Sequence, residues 1–197
     1  MRGGQWRGME EEQRPAVRPR CDACRRPPAT CLCARVVPVD HTTPVLILQH
    51  PLEVDHAKGT GRLLHLGLRD SRLEVGDAFD DAALQQWLGA DAVLLYPGES
   101  SAPAPPRPGR LVVLDATWRK SRLMLHANPR LQALPRLALN APPASRYASR
   151  RAHHPEQRST LEATLLALAL LDGDHPSHAQ LLERFDAEQR AWDARSP

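Results

Sequence analysis

The chain has 197 residues, enough for one main domain with a small appendage, and its 42% hydrophobic and 25% charged residues are ordinary for a soluble protein. It has no apolar run long enough to span a bilayer and no hydrophobic segment of a secretory signal near Met1, so a cytoplasmic protein is expected. The net charge of +3 is spread unevenly along the chain.

Residues 107–158 form a basic segment, with eleven Arg and Lys residues against only two acidic ones, Asp115 and Glu156. A concentration of positive charge of this kind predicts a polyanionic partner, most often nucleic acid. The alternative is an arginine-rich surface that is merely solvated.

The amino-terminal region divides into a tail and a cysteine-rich head. Residues 1–18 have almost no apolar periodicity and are expected to be a disordered tail. The head, residues 19–36, holds all four cysteines within thirteen positions, which predicts a closed, structural zinc site. Two disulfides are the alternative, and a reducing compartment disfavours them. The proposed ligands are Cys21, Cys24, Cys31 and Cys33.

Strand and helix patterns alternate through the main domain, residues 37–197. Strands are predicted at 45–50, 72–79, 92–96, 111–114 and 136–139. Helices are predicted after the Gly59–Gly61 loop, from the Asp80 cap to about Trp87, at 118–127 behind a Thr117 cap, from the Ser159–Glu162 capping box to Leu171, and at about 177–195. This alternation predicts an α/β fold with a largely parallel sheet and flanking helices, although the strand order cannot be read from it.

Asp115 is the main candidate functional residue, because it ends the aliphatic run Leu111–Leu114. Open α/β sheets bind their ligands at the carboxyl ends of their strands. A carboxylate at that position either anchors a ligand or moves a proton. Trp118 follows closely and either stacks on a ligand or packs in the core. His50, at the end of another strand, is either structural or catalytic.

Several motifs occur together in one order, and on them the chain resembles the DTW-domain proteins, the tRNA-uridine aminocarboxypropyltransferases, over roughly residues 20–175. The motifs are the four-cysteine head, Ile47–Pro51, Thr60–Leu63, Leu95–Gly98, Leu114–Trp118, Ser145–Tyr147 and Ser159–Ala163. The chain departs from the family pattern at Ala116, where glycine is usual, and at Gly59, where asparagine is common.

The resemblance implies a fold similar to the SPOUT class, with a carboxyl-terminal trefoil knot. It also implies that the 3-amino-3-carboxypropyl group of S-adenosylmethionine is transferred to N3 of a tRNA uridine, with release of methylthioadenosine. Asp115 and Trp118 are then expected to be catalytic, with Asp115 acting as general base or as ligand anchor. The residues expected to bind the donor are Leu95, Pro97, Gly98, Thr117, Leu139, Arg146, Tyr147 and Thr160.

The same resemblance implies tRNA as the partner, with both a monomer and a homodimer left open. The residues expected to contact RNA are His50, Arg62, Arg119, Arg122, Arg150 and Arg151. Three other functions stay open: a SPOUT-like RNA methyltransferase, aminocarboxypropyl transfer to ribosomal RNA, and a non-catalytic, zinc-bearing RNA-binding module.

Overall fold

A computed structural model of the chain describes residues 19–56, 59–98, 104–139 and 158–193. Within these ranges five strands form one sheet in which every pairing is parallel, and the strand order is β2-β1-β4-β3-β5. The α/β class and the parallel sheet predicted from the sequence are therefore confirmed. The strands are β1 (Val45–Gln49), β2 (Ser71–Val75), β3 (Ala92–Leu95), β4 (Arg110–Asp115) and β5 (Arg136–Leu137).

The described residues also form six helices and three short 3₁₀ turns. The helices are α1 (Gly61–Gly67), α2 (Asp81–Leu88), α3 (Trp118–Ala127), α4 (Pro129–Gln132), α5 (Thr160–Asp172) and α6 (Pro176–Asp193). The 3₁₀ turns are Pro28–Thr30, Cys33–Arg35 and Pro51–Glu53. The pattern did not predict α4 or these turns, because segments of three or four residues are too short to show a helical period.

Three helices begin at the capping residues that the sequence indicates. The side chains of Asp80 and Thr117 each accept a backbone N–H from the first turn of their helix, at 2.9 and 3.5 Å. Ser159 and Glu162 form a complete capping box at the start of α5. Because caps satisfy backbone donors that helices leave unpaired, they place these helix starts reliably.

The helices cover both faces of the sheet. Helices α1, α5 and α6 pack on one face against alternate strand residues such as Ile47 and Val113. Helices α2, α3 and α4 pack on the other face against Leu48 and Leu114. None of the helices in the described ranges combines the length and the apolar character needed to cross a lipid bilayer.

The sheet has a topological switch point at the carboxyl ends of its neighbouring strands β1 and β4. Their last residues, Gln49 and Asp115, are register partners. The helix that follows β1 lies on one face of the sheet, and the helix that follows β4 lies on the other. Neighbouring strands whose connections diverge in this way open the crevice in which α/β proteins bind their ligands.

The cysteine-rich head packs on the main domain. Leu32 is 3% exposed and belongs to the same core cluster as α1 and α5. The boundary predicted between head and main domain stays a prediction, and the predicted tail, residues 1–18, lies outside the described residues.

Candidate active site

Asp115 lies at this switch point, where its buried carboxylate joins three elements. Its side chain is 5% exposed. Oδ2 accepts a hydrogen bond from Gln49 Nε2 at 2.8 Å, and Oδ1 accepts one from the Thr160 hydroxyl at 2.7 Å. The end of β1, the end of β4 and the start of α5 are therefore held together by one acid.

The start of α1 approaches the same carboxylate closely. A Cβ atom added to Gly61 would lie 2.3 Å from Asp115 Oδ2, a distance that real contacts do not show. The neighbouring Thr60 is 4% exposed, and its hydroxyl accepts the backbone N–H of Leu161 in α5 at 3.4 Å. Asp115 is thus enclosed by the first residues of two helices, and glycine is required on the α1 side.

Trp118 and Tyr96 form an aromatic pair beside Asp115. Tyr96 follows β3 and Trp118 begins α3, and their ring centroids lie 5.7 Å apart at an interplanar angle of 69°. The Tyr96 hydroxyl lies 3.4 Å from Ser121 Oγ, which fixes its ring against α3. Trp118 is 44% exposed, so it is not a core residue and offers an accessible aromatic surface at the carboxyl end of the sheet.

The Pro97–Gly98 turn lies next to this pair. Arg136 donates a hydrogen bond to the Pro97 carbonyl at 3.0 Å, and its guanidinium carbon lies 5.1 Å from the Tyr96 ring centroid. Gly98 has φ +99°, a conformation that favours glycine. The turn is therefore held in one shape by β5.

The other residues expected to bind the donor lie at the same edge of the sheet. Leu95 ends β3 and pairs with Leu137 of β5, so the half-buried Leu139 emerges beside the turn. Thr117 caps α3 and Thr160 bonds Asp115. The structure brings all six described members of the predicted donor set to the carboxyl ends of β3, β4 and β5 or to the adjoining helix starts. Arg146 and Tyr147 lie outside the described residues.

The residues expected to contact RNA have different surroundings. Arg119 and Arg122 are exposed on α3, next to Trp118. The ring Nδ1 of His50 accepts the Leu52 N–H at 3.1 Å, so His50 caps the turn after β1. Arg62 donates to the Ala23 carbonyl at 2.7 Å, so this side chain fastens the head to α1. Arg150 and Arg151 lie outside the described residues.

Part of the basic segment is engaged within the protein. Lys120 Nζ lies 2.8 Å from Glu53 Oε1, and that carboxylate is 5% exposed. Arg130 pairs with Asp81, and Arg110 donates to the Trp87 carbonyl. The basic segment therefore has fewer cations available to a partner than its eleven Arg and Lys residues suggest.

The four cysteines have the spacing that a tetrahedral metal requires. The sulfurs of Cys21 and Cys33 lie 3.6 Å apart, those of Cys24 and Cys31 lie 3.7 Å apart, and all four lie within 4.8 Å of one another. Four ligands at a zinc–sulfur distance of 2.3 Å give edges of about 3.8 Å. The donor set therefore fits zinc, and a set of four thiolates leaves no position for a reacting ligand.

Hydrogen bonds among these thiols affect their ionisation. Hydrogen bonds from the Cys24 backbone and the Cys33 thiol lower the pKa of Cys21 to about 6. Desolvation and hydrogen bonds with the other thiols raise the pKa of Cys33 to about 12. Four thiols this close together do not all ionise readily, because the thiolates would repel one another. A bound metal cation stabilises all four thiolates.

Gln49 and Gly61 were not predicted as members of the site. Both lie inside the motifs that carry the resemblance, but their role is visible only in space, where each contacts Asp115. The 2% exposure of Gln49 at a strand end is unusual for an amide and marks its side chain as bonded.

Comparisons with known proteins agree with this geometry. The DTW domain model matches residues 18–192. A tRNA-uridine aminocarboxypropyltransferase 2 of Drosophila melanogaster is 32% identical over 184 residues, which cover 86% of this chain and 73% of the fly protein. Its namesake in Mus musculus is 26% identical over 185 residues, and the match spans 62% of the mouse protein. The tRNA-uridine aminocarboxypropyltransferase A of Arabidopsis thaliana is 31% identical over 147 residues, covering 61% of this chain and 55% of the plant protein.

No solved structure matches the chain significantly. The domain match covers the head, the sheet and most of the final helix. The chain belongs to the DTW-domain family.

Proposed function

We propose that this protein is a tRNA-uridine aminocarboxypropyltransferase that uses S-adenosylmethionine as its donor. Uridine N3 loses its proton and attacks the γ-carbon of the methionine chain. The carbon–sulfur bond breaks, its electron pair returns to the sulfonium sulfur, and methylthioadenosine leaves. The observation that carries the proposal is the 32% identity to the fly enzyme over 184 residues, which cover 86% of this chain.

The donor fits the carboxyl ends of β3, β4 and β5. At this edge the exposed Trp118 ring offers an aromatic surface on the α3 side, and the half-buried Leu95 and Leu139 offer apolar surface on the α5 side. The Pro97–Gly98 turn brings main chain close to that surface. When bound, the donor supplies the activated sulfonium leaving group, and the protein supplies position and charge.

For Asp115, the contacts favour the anchoring role over the general base. Each carboxylate oxygen already accepts a hydrogen bond, one from Gln49 and one from Thr160, so the side chain is fixed in one orientation. A fixed, buried carboxylate is well suited to hold a cationic group such as the donor's ammonium. We propose that Asp115 orients the reactants and that solvent takes the N3 proton.

Substitution Asp115→Asn separates these two roles. Asparagine keeps the size of the side chain, and the Gln49 amide can rotate to restore a hydrogen bond. For an anchor, the KM for S-adenosylmethionine rises and the pH dependence of kcat is unchanged. For a general base, kcat falls and the pH dependence that reports the protonation of Asp115 disappears.

The tRNA would be held by exposed arginines that contact phosphates, with Arg119 and Arg122 on α3 as described examples and Arg150 and Arg151 as further candidates. Arg146 and Tyr147 are proposed to contact the donor. Zinc in the head would be structural, held by the four cysteines. Arg62 then couples the metal-bound head to α1, close to Asp115.

Purified, zinc-loaded protein is incubated with S-adenosylmethionine and tRNA, and the nucleosides are analysed by mass spectrometry. An aminocarboxypropyl uridine with stoichiometric methylthioadenosine is the expected product. Methylated nucleoside with S-adenosylhomocysteine would instead identify a methyltransferase. RNA binding without either product would identify a non-catalytic module. Product formed only in ribosomal RNA would identify ribosomal RNA, and not tRNA, as the acceptor.

Three finer features complete the proposal. A carboxyl-terminal knot is proposed from the resemblance, since the path of residues 140–157 that would decide it lies outside the described residues. A cytoplasmic location and a monomeric or homodimeric state stay predictions.

A further inference from the structure

A cavity of about 130 Å³ lies between the cysteine-rich head and the segment that follows β1. We infer that it is the pocket for the uracil ring of the acceptor, an inference that rests on the proposed function. Its size is that of one six-membered ring, since an engineered cavity of about 150 Å³ in another protein holds benzene. A whole nucleoside would not fit, so the ribose would lie outside the cavity.

The cavity shares Gln49 with the Asp115 site, and its described lining contains none of the residues of the proposed donor surface. Its described lining comes from residues 20–32 of the head and residues 49–63. Gln49 belongs to that lining and donates its hydrogen bond to Asp115. The proposed donor surface lies on other segments, at 95–98, 117–118 and 139. A ring in the cavity would therefore lie beside Gln49, one hydrogen bond away from Asp115.

The lining suits an imide that must lose a proton. Four arginines line the cavity, and a guanidinium beside a ring oxygen stabilises the negative charge that develops there when N3 loses its proton. The Gln49 amide carries both a donor and an acceptor, the groups that read the edge of a base. Leu32 and Leu63 offer apolar surface to the ring face, and guanidinium planes stack on bases.

A paired substitution tests the inference on the zinc-loaded full chain. Val54 is half-buried in the lining, whereas Leu52, two residues earlier, is 69% exposed and lies outside the lining. Val54→Trp fills the cavity and is expected to lower kcat/KM for tRNA about 100-fold, the size of effect that misplacing a reactant produces. The affinity for S-adenosylmethionine, measured by equilibrium dialysis, should not change. Leu52→Trp adds the same ring outside the cavity and should leave both quantities unchanged.

Each outcome has one meaning. Wild-type kcat/KM in Val54→Trp refutes the pocket, and so does a loss of donor affinity, which would assign the cavity to S-adenosylmethionine. A wild-type protein that forms no aminocarboxypropyl uridine refutes the proposed function itself, and the pocket with it. If the wild type forms the product and Val54→Trp has the same kcat/KM for tRNA, the pocket alone is refuted and the proposed function stands.

Crosslinking tests the pocket without any substitution. A tRNA with 4-thiouridine at the modified position is irradiated in complex with the wild-type protein, and the attached peptide is identified by mass spectrometry. Attachment within residues 20–32 or 49–63 is expected. Attachment to the Trp118–Arg122 turn of α3 would overturn the inference. This measurement decides the matter even if Val54→Trp does not fold.

Discussion

Gly61→Ala tests how tightly Asp115 is enclosed. In an ordinary helix this change is stabilising, by up to about 1 kcal/mol, because alanine has the higher helix propensity. Here the added Cβ would lie 2.3 Å from Asp115 Oδ2 and 2.5 Å from its Cγ, whereas ordinary contacts begin at 3.4 Å. The start of α1 or the carboxylate must therefore move by about an ångström, which is a large shift in a packed site.

Overpacking of this kind costs about 1–3 kcal/mol. For a chain of this size the melting temperature is then expected to fall by roughly 2–12 °C. Displacing Asp115 also moves Gln49 and Thr160, because both bond to it. We expect transferase activity to fall about 100-fold, as for other small displacements at reacting centres. Urea unfolding and the tRNA nucleoside assay measure the two effects.

A double-mutant cycle provides the control. Asp115→Ala removes the two closest atoms and leaves the Asp115 Cβ, 3.0 Å from the added methyl group. In that background Gly61→Ala should cost about 1 kcal/mol less than in the wild type, a coupling typical of residues in contact. If Gly61→Ala is as stable and as active as the wild type, the close approach is wrong, and with it the enclosure of Asp115.

Three further changes have expected outcomes. Trp118→Ala should weaken S-adenosylmethionine binding measured by calorimetry. Leu123→Ala, which removes another exposed side chain of α3, should not weaken it. If Trp118→Ala binds the donor as tightly as the wild type, the donor does not stack on Trp118. Chelation of zinc should release the head and abolish activity, and adding zinc back should restore that activity. Atomic absorption measures the zinc content. Full activity of the metal-free protein would contradict the structural role. Burial acts to raise the pKa of Asp172, but hydrogen bonds from Thr43 and Thr42 outweigh it, and the pKa is lower than its ordinary 3.8. The stability that comes from the ionised Asp172 and its hydrogen bonds is therefore present above pH 4 and is lost as the pH falls through the lowered pKa. Asp172→Asn should lower the free energy of unfolding by about 1–2 kcal/mol at pH 7, and it should flatten the acid limb of the pH dependence measured by urea unfolding. An unchanged acid limb would show that Asp172 is not the responsible group.

Elements with strong local signals were predicted correctly from the sequence. Continuous aliphatic runs indicated β1 and β4, and the Thr117 cap placed α3 at the residues the structure gives it. The capping box placed the start of α5, and the predicted end at Leu171 lies one residue before its last residue, Asp172. These signals are local because a few neighbouring residues satisfy the backbone groups at each boundary.

Features that depend on distant pairings could not be predicted. The strand order places β4 between β1 and β3, and only that order makes Gln49 a neighbour of Asp115. The contact of Arg62 with the head was equally hidden, because a long side chain reaches many groups, and its expected RNA contact came from the family resemblance. Sequence pattern thus located the acid at the strand end but not the residues that enclose it.

The Asp115 contacts give a physical reason why several short motifs identify this family together. Motifs around Gln49, Gly61 and Thr160 are far apart in the chain, yet each brings one group to the same carboxylate. None of these groups is useful without the others, since a buried carboxylate needs its partners and a tight approach needs its glycine. Substitutions at these positions disturb one shared unit. Their combined effect on activity should therefore be smaller than the sum of the single effects.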